Sequence, residues 1–254
     1  MADPLFSVQG KVVHVCGGSR GIGRAIAQAF HERGAKVIVS ARNEDELKST
    51  GLAYEVCDIA RNADIVRCVD NIARQFGRID VLFNVAGINF RHAAETFPDD
   101  KLDDILSVNV RGNFVMAREC GRRMIEQKSG KVVNIASLHT GYSLAGMVPY
   151  GASKGAIGSM TRALAVEWAA YNIQVNAIAP GFILTDLNRA VLERPEIKAF
   201  AETRALLGRI GEPRDLVGVA IFLASAASDY MTGQVVYVDG GLTAGTTWPL
   251  SYPK

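Results

Sequence analysis

Tyr150 is followed four residues later by Lys154, a spacing that puts both side chains on one face of a helix. Of the seven tyrosines, only this one has a lysine at that offset. A free phenol titrates near pH 10, so roughly one molecule in a thousand is ionised at neutral pH. An ammonium one turn away favours the phenolate and moves the group toward its working range as a general acid or base. The bland alternative is a lysine that is merely a solvated surface cation. Ser137 lies thirteen residues before Tyr150, where its hydroxyl could hold a substrate oxygen beside the phenol. A lone serine at a strand end is otherwise a turn former or cap. Asn109 falls inside a helical stretch, SVNVRGNF, an unfavourable place for asparagine unless its amide serves something. Either it takes part in a proton relay or it is a surface residue. Phenol, ammonium, hydroxyl and amide form a set suited to passing a proton on and off a C–O group.

Such a set needs a scaffold, and the chain predicts one. Short β-branched runs alternate with longer helical patterns, the signature of a parallel sheet wrapped by helices. Strands are expected at 11–16, 36–41, 53–59, 79–87, 131–137, 173–181 and 234–241, each mostly apolar because both faces are covered. A helix is expected from about Gly21 to Arg33, closed by Gly34, and a long uninterrupted one from about Asp99 to Gln127. Tyr150–Ala170 carries a stripe of Ile157, Met160, Leu164 and Trp168 at the helical period. Ser137 then ends the fifth strand, at the carboxyl edge where open sheets bind ligands. Phe182–Gly211 has weaker periodicity and is expected to cover that edge. No linker or repeat divides the 254 residues, so residues 1–254 are expected to form one domain.

Cys16–Gly23, CGGSRGIG, joins the first strand to the first helix. Its glycines allow a tight turn and close approach, and the helix N-terminus offers N–H groups to a pyrophosphate. The spacing is GxxxGxG and not GxGxxG, so the dinucleotide reading rests on context; a glycine turn without a ligand is the alternative. The second strand ends Ser40, Ala41, Arg42, without the carboxylate that commonly takes the adenosine ribose hydroxyls. Arg42 and Arg20 suit a 2′-phosphate instead, which favours NADP(H) over NAD(H). Glu44, Asp45 and Glu46 follow closely, either to fold back on the ribose or simply to begin a surface helix. Asp58 is placed to accept from an adenine amino group, or to cap the next helix.

Composition excludes several classes. A net charge of +2 with dispersed basic residues is no nucleic-acid footprint. Cys16, Cys57, Cys68 and Cys120 show no CxxC and no histidine grouping, so reduced, buried thiols and no metal are expected. No stretch reaches the roughly 18 apolar residues of a membrane span, and the N-terminus lacks a basic, then apolar, leader pattern; a cytoplasmic protein is expected.

Taken together, CGGSRGIG, Asp58, NVAG (84–87), Asn109, Ser137, YGASK (150–154), PGFILT (180–185) and TGQVVYVDGG (232–241) resemble the short-chain dehydrogenase/reductase family over essentially the whole chain. Cys16 stands where the family usually has threonine, and Val85 where it usually has asparagine. The resemblance implies a doubly wound Rossmann fold with a seven-stranded parallel sheet flanked by helices on both faces. It also implies an oxidoreductase moving a hydride between NADP(H), or NAD(H), and a secondary alcohol or ketone. Tyr150 would exchange the proton, Ser137 position the oxygen, Lys154 hold the nicotinamide ribose and depress the phenol pKa, and Asn109 anchor a relay water. Gly17, Ser19, Arg20, Gly21, Ile22, Gly23 and Arg42, with Asp58 and Ile59, would bind the cofactor, Asn84, Ala86 and Gly87 would line its adenosine and ribose path, and the backbone around Pro180, Gly181 and Ile183 with the Thr185 hydroxyl would meet the nicotinamide end. Several segments, NVAGINFRHAAE among them, resemble bacterial gluconate 5-dehydrogenases and related sugar-acid or polyol dehydrogenases. Arg91, His92 and His139 lie near the expected substrate mouth, His139 being the better candidate for substrate contact and Arg91 and His92 being more apt for solvation. The rival enzyme reading is a 3-oxoacyl-[acyl-carrier-protein] reductase, for which Arg122, Arg123 and Lys128 would be the basic patch; a reading of another class is a non-catalytic NADP-binding sensor or scaffold. Family likeness also implies a homotetramer, with Trp168 and Tyr237 apolar enough to serve its contacts.

Overall fold

Apolar β-branched runs with no solvated face must be covered on both sides, and in the computed structural model, which describes residues 3–186 and 188–246, they are. Seven parallel strands, β1 (Val12–Cys16), β2 (Lys36–Ala41), β3 (Ala53–Val56), β4 (Val81–Asn84), β5 (Gly130–Ile135), β6 (Ile173–Pro180) and β7 (Val235–Val238), lie in the order β3-β2-β1-β4-β5-β6-β7. This is the expected doubly wound Rossmann arrangement. The order reverses between β1 and β4, which opens a crevice beyond their carboxyl ends.

Alternation along each strand divides the core in two. Val12, Cys16, Leu82, Val132 and Val175 point to one face, where they meet α3 (Asn62–Phe76), α5 (Asn113–Gln127) and α6 (Val148–Trp168). Val13, Val15, Phe83, Val133 and Ile178 point to the other, under α1 (Gly21–His31) and a helix at Val217–Ala224. Six of the seven strands are shorter than expected, β2 alone keeping its expected bounds. β3 stops at Val56 because the Asp58 carboxylate accepts from Ala60 N–H in a tight turn, and β4 stops at Asn84 because Val85 and Ala86 both donate to the Cys16 carbonyl.

The expected helix 99–127 is also modified: α4 (Asp99–Leu106) and α5 are joined by a π-helical turn, Ser107–Gly112. Such a turn inserts a residue into regular winding and often marks a functional position; here it holds Asn109. The stripe on α6 is buried as its spacing demands, and this corrects one expectation. Trp168 does not face outward for contacts between copies, since its ring packs inside against Gly121, where a Cβ would lie 2.5 Å from the indole. Tyr237 remains partly exposed, its hydroxyl tucked against Gly141. All four cysteines are buried free thiols, and among the described residues no helix is long and apolar enough to cross a membrane.

One polar group sits deep in this core. His14, on β1, is fully buried; its Nε2 lies 2.8 Å from Ser40 Oγ, and the thiols of Cys68 and Cys120 are each 3.9 Å from a ring nitrogen. Burial pushes its pKa down to about 4. An unfolded chain protonates this ring below about pH 6.5, whereas the folded protein keeps it neutral until about pH 4. The unfolded state therefore binds the extra proton between those limits, and stability falls as pH falls through that window, by on the order of 3 kcal/mol from this group. Urea unfolding of the wild type and His14→Asn at pH 7 and pH 4.5 should show the wild type losing more stability than the variant. Parallel losses would dismiss His14 as the source.

Candidate active site

The crevice between β1 and β4 is a cleft of about 600 Å³. Its floor depends on glycine. A Cβ at Gly17 would lie 2.6 Å from Ala86 N, and one at Gly23 would lie 2.1 Å from the Gly17 carbonyl oxygen, so loop, strand end and helix meet closer than any side chain permits. Gly17 and Gly18 donate their N–H groups to the Ser40 carbonyl at 2.7 and 3.3 Å. The loop is thus fixed through backbone, and the thiol at Cys16, buried in the core, is not required to hold it. No side chain caps the first turn of α1, whose N-terminal N–H groups are left for a ligand. These features fit a dinucleotide with its pyrophosphate on the glycine loop.

Gly17, Ser19, Arg20, Gly21, Ile22, Gly23, Arg42, Asp58, Ile59, Ala86, Gly87 and Thr185 all line this cleft. Asp58 caps no helix, since α3 begins after Arg61. Thr185 closes the far wall, its methyl 3.4 Å from where a Cβ on Gly21 would be, and its backbone and hydroxyl both donate to Asn188. Four further expected residues have their side-chain positions taken up by the core. Asn84 turns into the core, donating to Asn113 O and Asn134 Oδ1, and Ile183 packs in the core near its bridge to Gly211. Pro180 is the buried end of β6, and at Gly181 a Cβ would strike Asp239. They thus shape the backbone around the cleft, and the contacts expected of Pro180, Gly181 and Ile183 are backbone ones.

Tyr150, Lys154, Ser137 and Asn109 converge beside Gly87. A Cβ on that glycine would lie 3.4 Å from Asn109 Oδ1 and 3.7 Å from Lys154 Nζ, and Nζ is 5.8 Å from the centre of the Tyr150 ring. Asn109 is no surface residue. It is wholly buried, accepts from Ile88 N–H at 2.8 Å, and donates to Ile88 O and Ser153 Oγ. Ser153 in turn donates to the Tyr150 carbonyl at 2.7 Å, so the amide ties the loop after β4 to the first turn of α6. Lys154 is buried too, donating to Ile135 O at 2.7 Å, and burial brings its pKa down to about 8. The Ser137 hydroxyl accepts from His139 N–H, leaving its own proton free to be donated.

The phenol behaves differently from the sequence expectation. Burial pushes the Tyr150 pKa above its ordinary value, and the facing Ser137 hydroxyl opposes this. Desolvation outweighs the opposing hydroxyl. The group therefore holds its proton at neutral pH, the state a proton donor needs.

Around the mouth, His139 is buried edge-on to the Tyr150 ring, with centroids 5.4 Å apart. Burial and the nearby Arg91 charge lower its pKa, keeping the ring neutral. Arg91 itself is exposed and lies over Gly146, while His92 stacks on Phe90 and is spent there. Sequence reasoning missed Ser153 and Thr140. Thr140 donates to the Lys154 carbonyl and, beside Ser137, accepts from its backbone N–H, a local pairing that the SxxT spacing of 137–140 encodes.

A family model described as enoyl-(acyl carrier protein) reductase matches residues 17–243. The chain is 36% identical to 5-keto-D-gluconate 5-reductase of Escherichia coli, over 94% of this chain and 98% of that protein. It is 39% identical to 3-oxoacyl-[acyl-carrier-protein] reductase of Chlamydia pneumoniae, over 94% and 99% respectively. Among solved structures, gluconate 5-dehydrogenase from Burkholderia cenocepacia in complex with NADP and tartrate superposes with a TM-score of 0.91 at 36% identity, covering 96% of this chain and 99% of that one. With the reversal in strand order, the glycine cleft and the Tyr150 cluster in place, the chain belongs to the short-chain dehydrogenase/reductase family.

Proposed function

We propose that this protein is an NADP(H)-dependent dehydrogenase/reductase of a sugar acid or polyol, with gluconate and 5-ketogluconate as the leading pair. The observation that carries the reading is the company of Tyr150: a neutral imidazole, His139, against its ring and the Arg91 cation at the mouth. Neutral imidazole both donates and accepts, which suits hydroxyls, and a guanidinium suits a carboxylate. Arg20 and Arg42 in the cleft support a 2′-phosphate, in keeping with the NADP of the Burkholderia structure.

When bound, the nicotinamide would supply or accept the hydride. In reduction, Ser137 donates to the carbonyl oxygen and Tyr150 transfers its phenolic proton to it. The resulting phenolate is stabilised by Lys154, whose lowered pKa eases its part in returning the proton. Asn109 acts mainly as a positioning residue, holding Ile88 and, through Ser153, Tyr150. Alcohol oxidation runs the same groups in reverse.

The acyl-carrier reading lacks its basic patch. Arg122 and Arg123 are paired with Glu119, Asp70 and Glu126, and Lys128 closes α5 at the amino end of the strands, opposite the cleft. Residues 1–254 are proposed to act as one domain in the cytoplasm, with 182–211 covering the substrate. A homotetramer is supported by exposed Phe114 on α5 and Val166 on α6, and by β7 at the sheet edge.

A panel of sugar acids, polyols and oxoacyl thioesters, followed by nicotinamide absorbance with both cofactors, should give its highest kcat/KM with a sugar acid and NADPH or NADP. Preference for a thioester would overturn the substrate assignment, and preference for NADH the cofactor. Tyr150→Phe should lower kcat by about a thousandfold while NADPH fluorescence titration gives an unchanged Kd. Undiminished turnover would remove the phenol from the mechanism.

A further inference from the structure

Three acids follow the second strand, and only one turns toward the cleft. They lie on α2 (Glu44–Lys48), whose start is fixed by the Asn43 side chain accepting from Asp45 and Glu46 N–H. Glu44 is directed away, pairing with Lys48 at 3.1 Å and accepting from Tyr54 Oη. Asp45 is exposed. Glu46, however, accepts from Ser19 Oγ at 2.9 Å through one carboxylate oxygen, and its other oxygen lies 3.7 Å from Arg20 Nη1. Ser19, Arg20 and Glu46 line the cleft together with Arg42. A hydroxyl and a guanidinium converging on an anion are the donors that a sugar 2′-phosphate requires.

We infer that Glu46 is a specificity-determining residue, an internal anion that occupies the 2′-phosphate receptor and competes for it. A 2′-phosphorylated adenosine must displace the carboxylate from Ser19 and Arg20 or accept its repulsion at close range. An unphosphorylated ribose meets no such opposition, and its 2′-hydroxyl can donate to the carboxylate where it stands. Glu46 therefore narrows the preference that Arg20 and Arg42 alone would set, leaving a cleft open to both cofactor forms.

This rests on the proposed NADP(H) reading, and the two are separable by measuring binding without turnover. Calorimetric titration of the full chain with 2′,5′-ADP and 5′-AMP gives an affinity ratio for the 2′-phosphate. The wild-type ratio alone tests the NADP(H) reading: a ratio below one defeats it. The change in that ratio on Glu46→Gln tests the role of Glu46. The variant should raise 2′,5′-ADP affinity about fivefold or more, as loss of a nearby like charge implies, with 5′-AMP unchanged or weakened. Glu46→Asp, which retracts the charge by one methylene, should shift the ratio the same way by less. Glu44→Gln removes an equal charge from the same helix and should leave the ratio unmoved. An unchanged or lower ratio in Glu46→Gln, or an equal shift in Glu44→Gln, would overturn the inference.

Discussion

The site rests on one buried amide. Asn109 makes hydrogen bonds to the N–H and the carbonyl of half-buried Ile88 and to the hydroxyl of fully buried Ser153, and is itself wholly buried. A buried polar group left unpaired costs far more than a paired one returns, so this arrangement tolerates little displacement. The chain leaving β4 is held at the cleft, and α6 is held at the depth where its first turn presents Tyr150. The site therefore relies on long-range side-chain bonds to join a sheet edge to a helix that would otherwise meet it only through apolar packing.

Around that anchor, burial sets the charge states. Lys154 and His139 both have lowered pKa values, and the phenol has a raised one. All three shifts share a direction: each favours the uncharged form, because the surrounding strand ends and helix exclude water. A neutral phenol beside an ammonium that gives up its proton more readily than usual is suited to a reaction in which a proton and a hydride arrive at the same C–O group. The cleft is different in kind. Its recognition elements are backbone and surface cations, and its counter-anion, Glu46, is supplied by the chain itself.

Much of the fold was legible because strands covered on both faces leave continuous apolar runs, and all seven appeared at their predicted places, six of them shorter than expected. Tyr150, Lys154 and Ser137 were legible from helical spacing and the end of a strand. The failures are of other kinds. The π turn at 107–112 leaves no mark on apolar periodicity, so Asn109 could be flagged as misplaced but not placed. Trp168 reads equally as core or contact from its stripe, and Gly121 opposite, 36 residues before the first residue of that stripe, decides it. For the phenol, spacing reveals a neighbouring charge but not the loss of solvent that raises its pKa. Asn84, Pro180 and Ile183 have side chains packed in the core, so what they offer the cleft is backbone.

The six-residue turn between α4 and α5 has a mechanical consequence. Each residue advances a regular helix by about 100°, so the extra residue rotates everything before it by that angle relative to everything after. α5 can then bury Met116, Cys120 and Met124 in the sheet while α4 keeps Ile105 inward and its acids in water. The same slip aims the Asn109 side chain sideways at Ile88. Winding that is locally imperfect thus lets one continuous rod serve two masters, a core that demands one phase and a cleft wall that demands another.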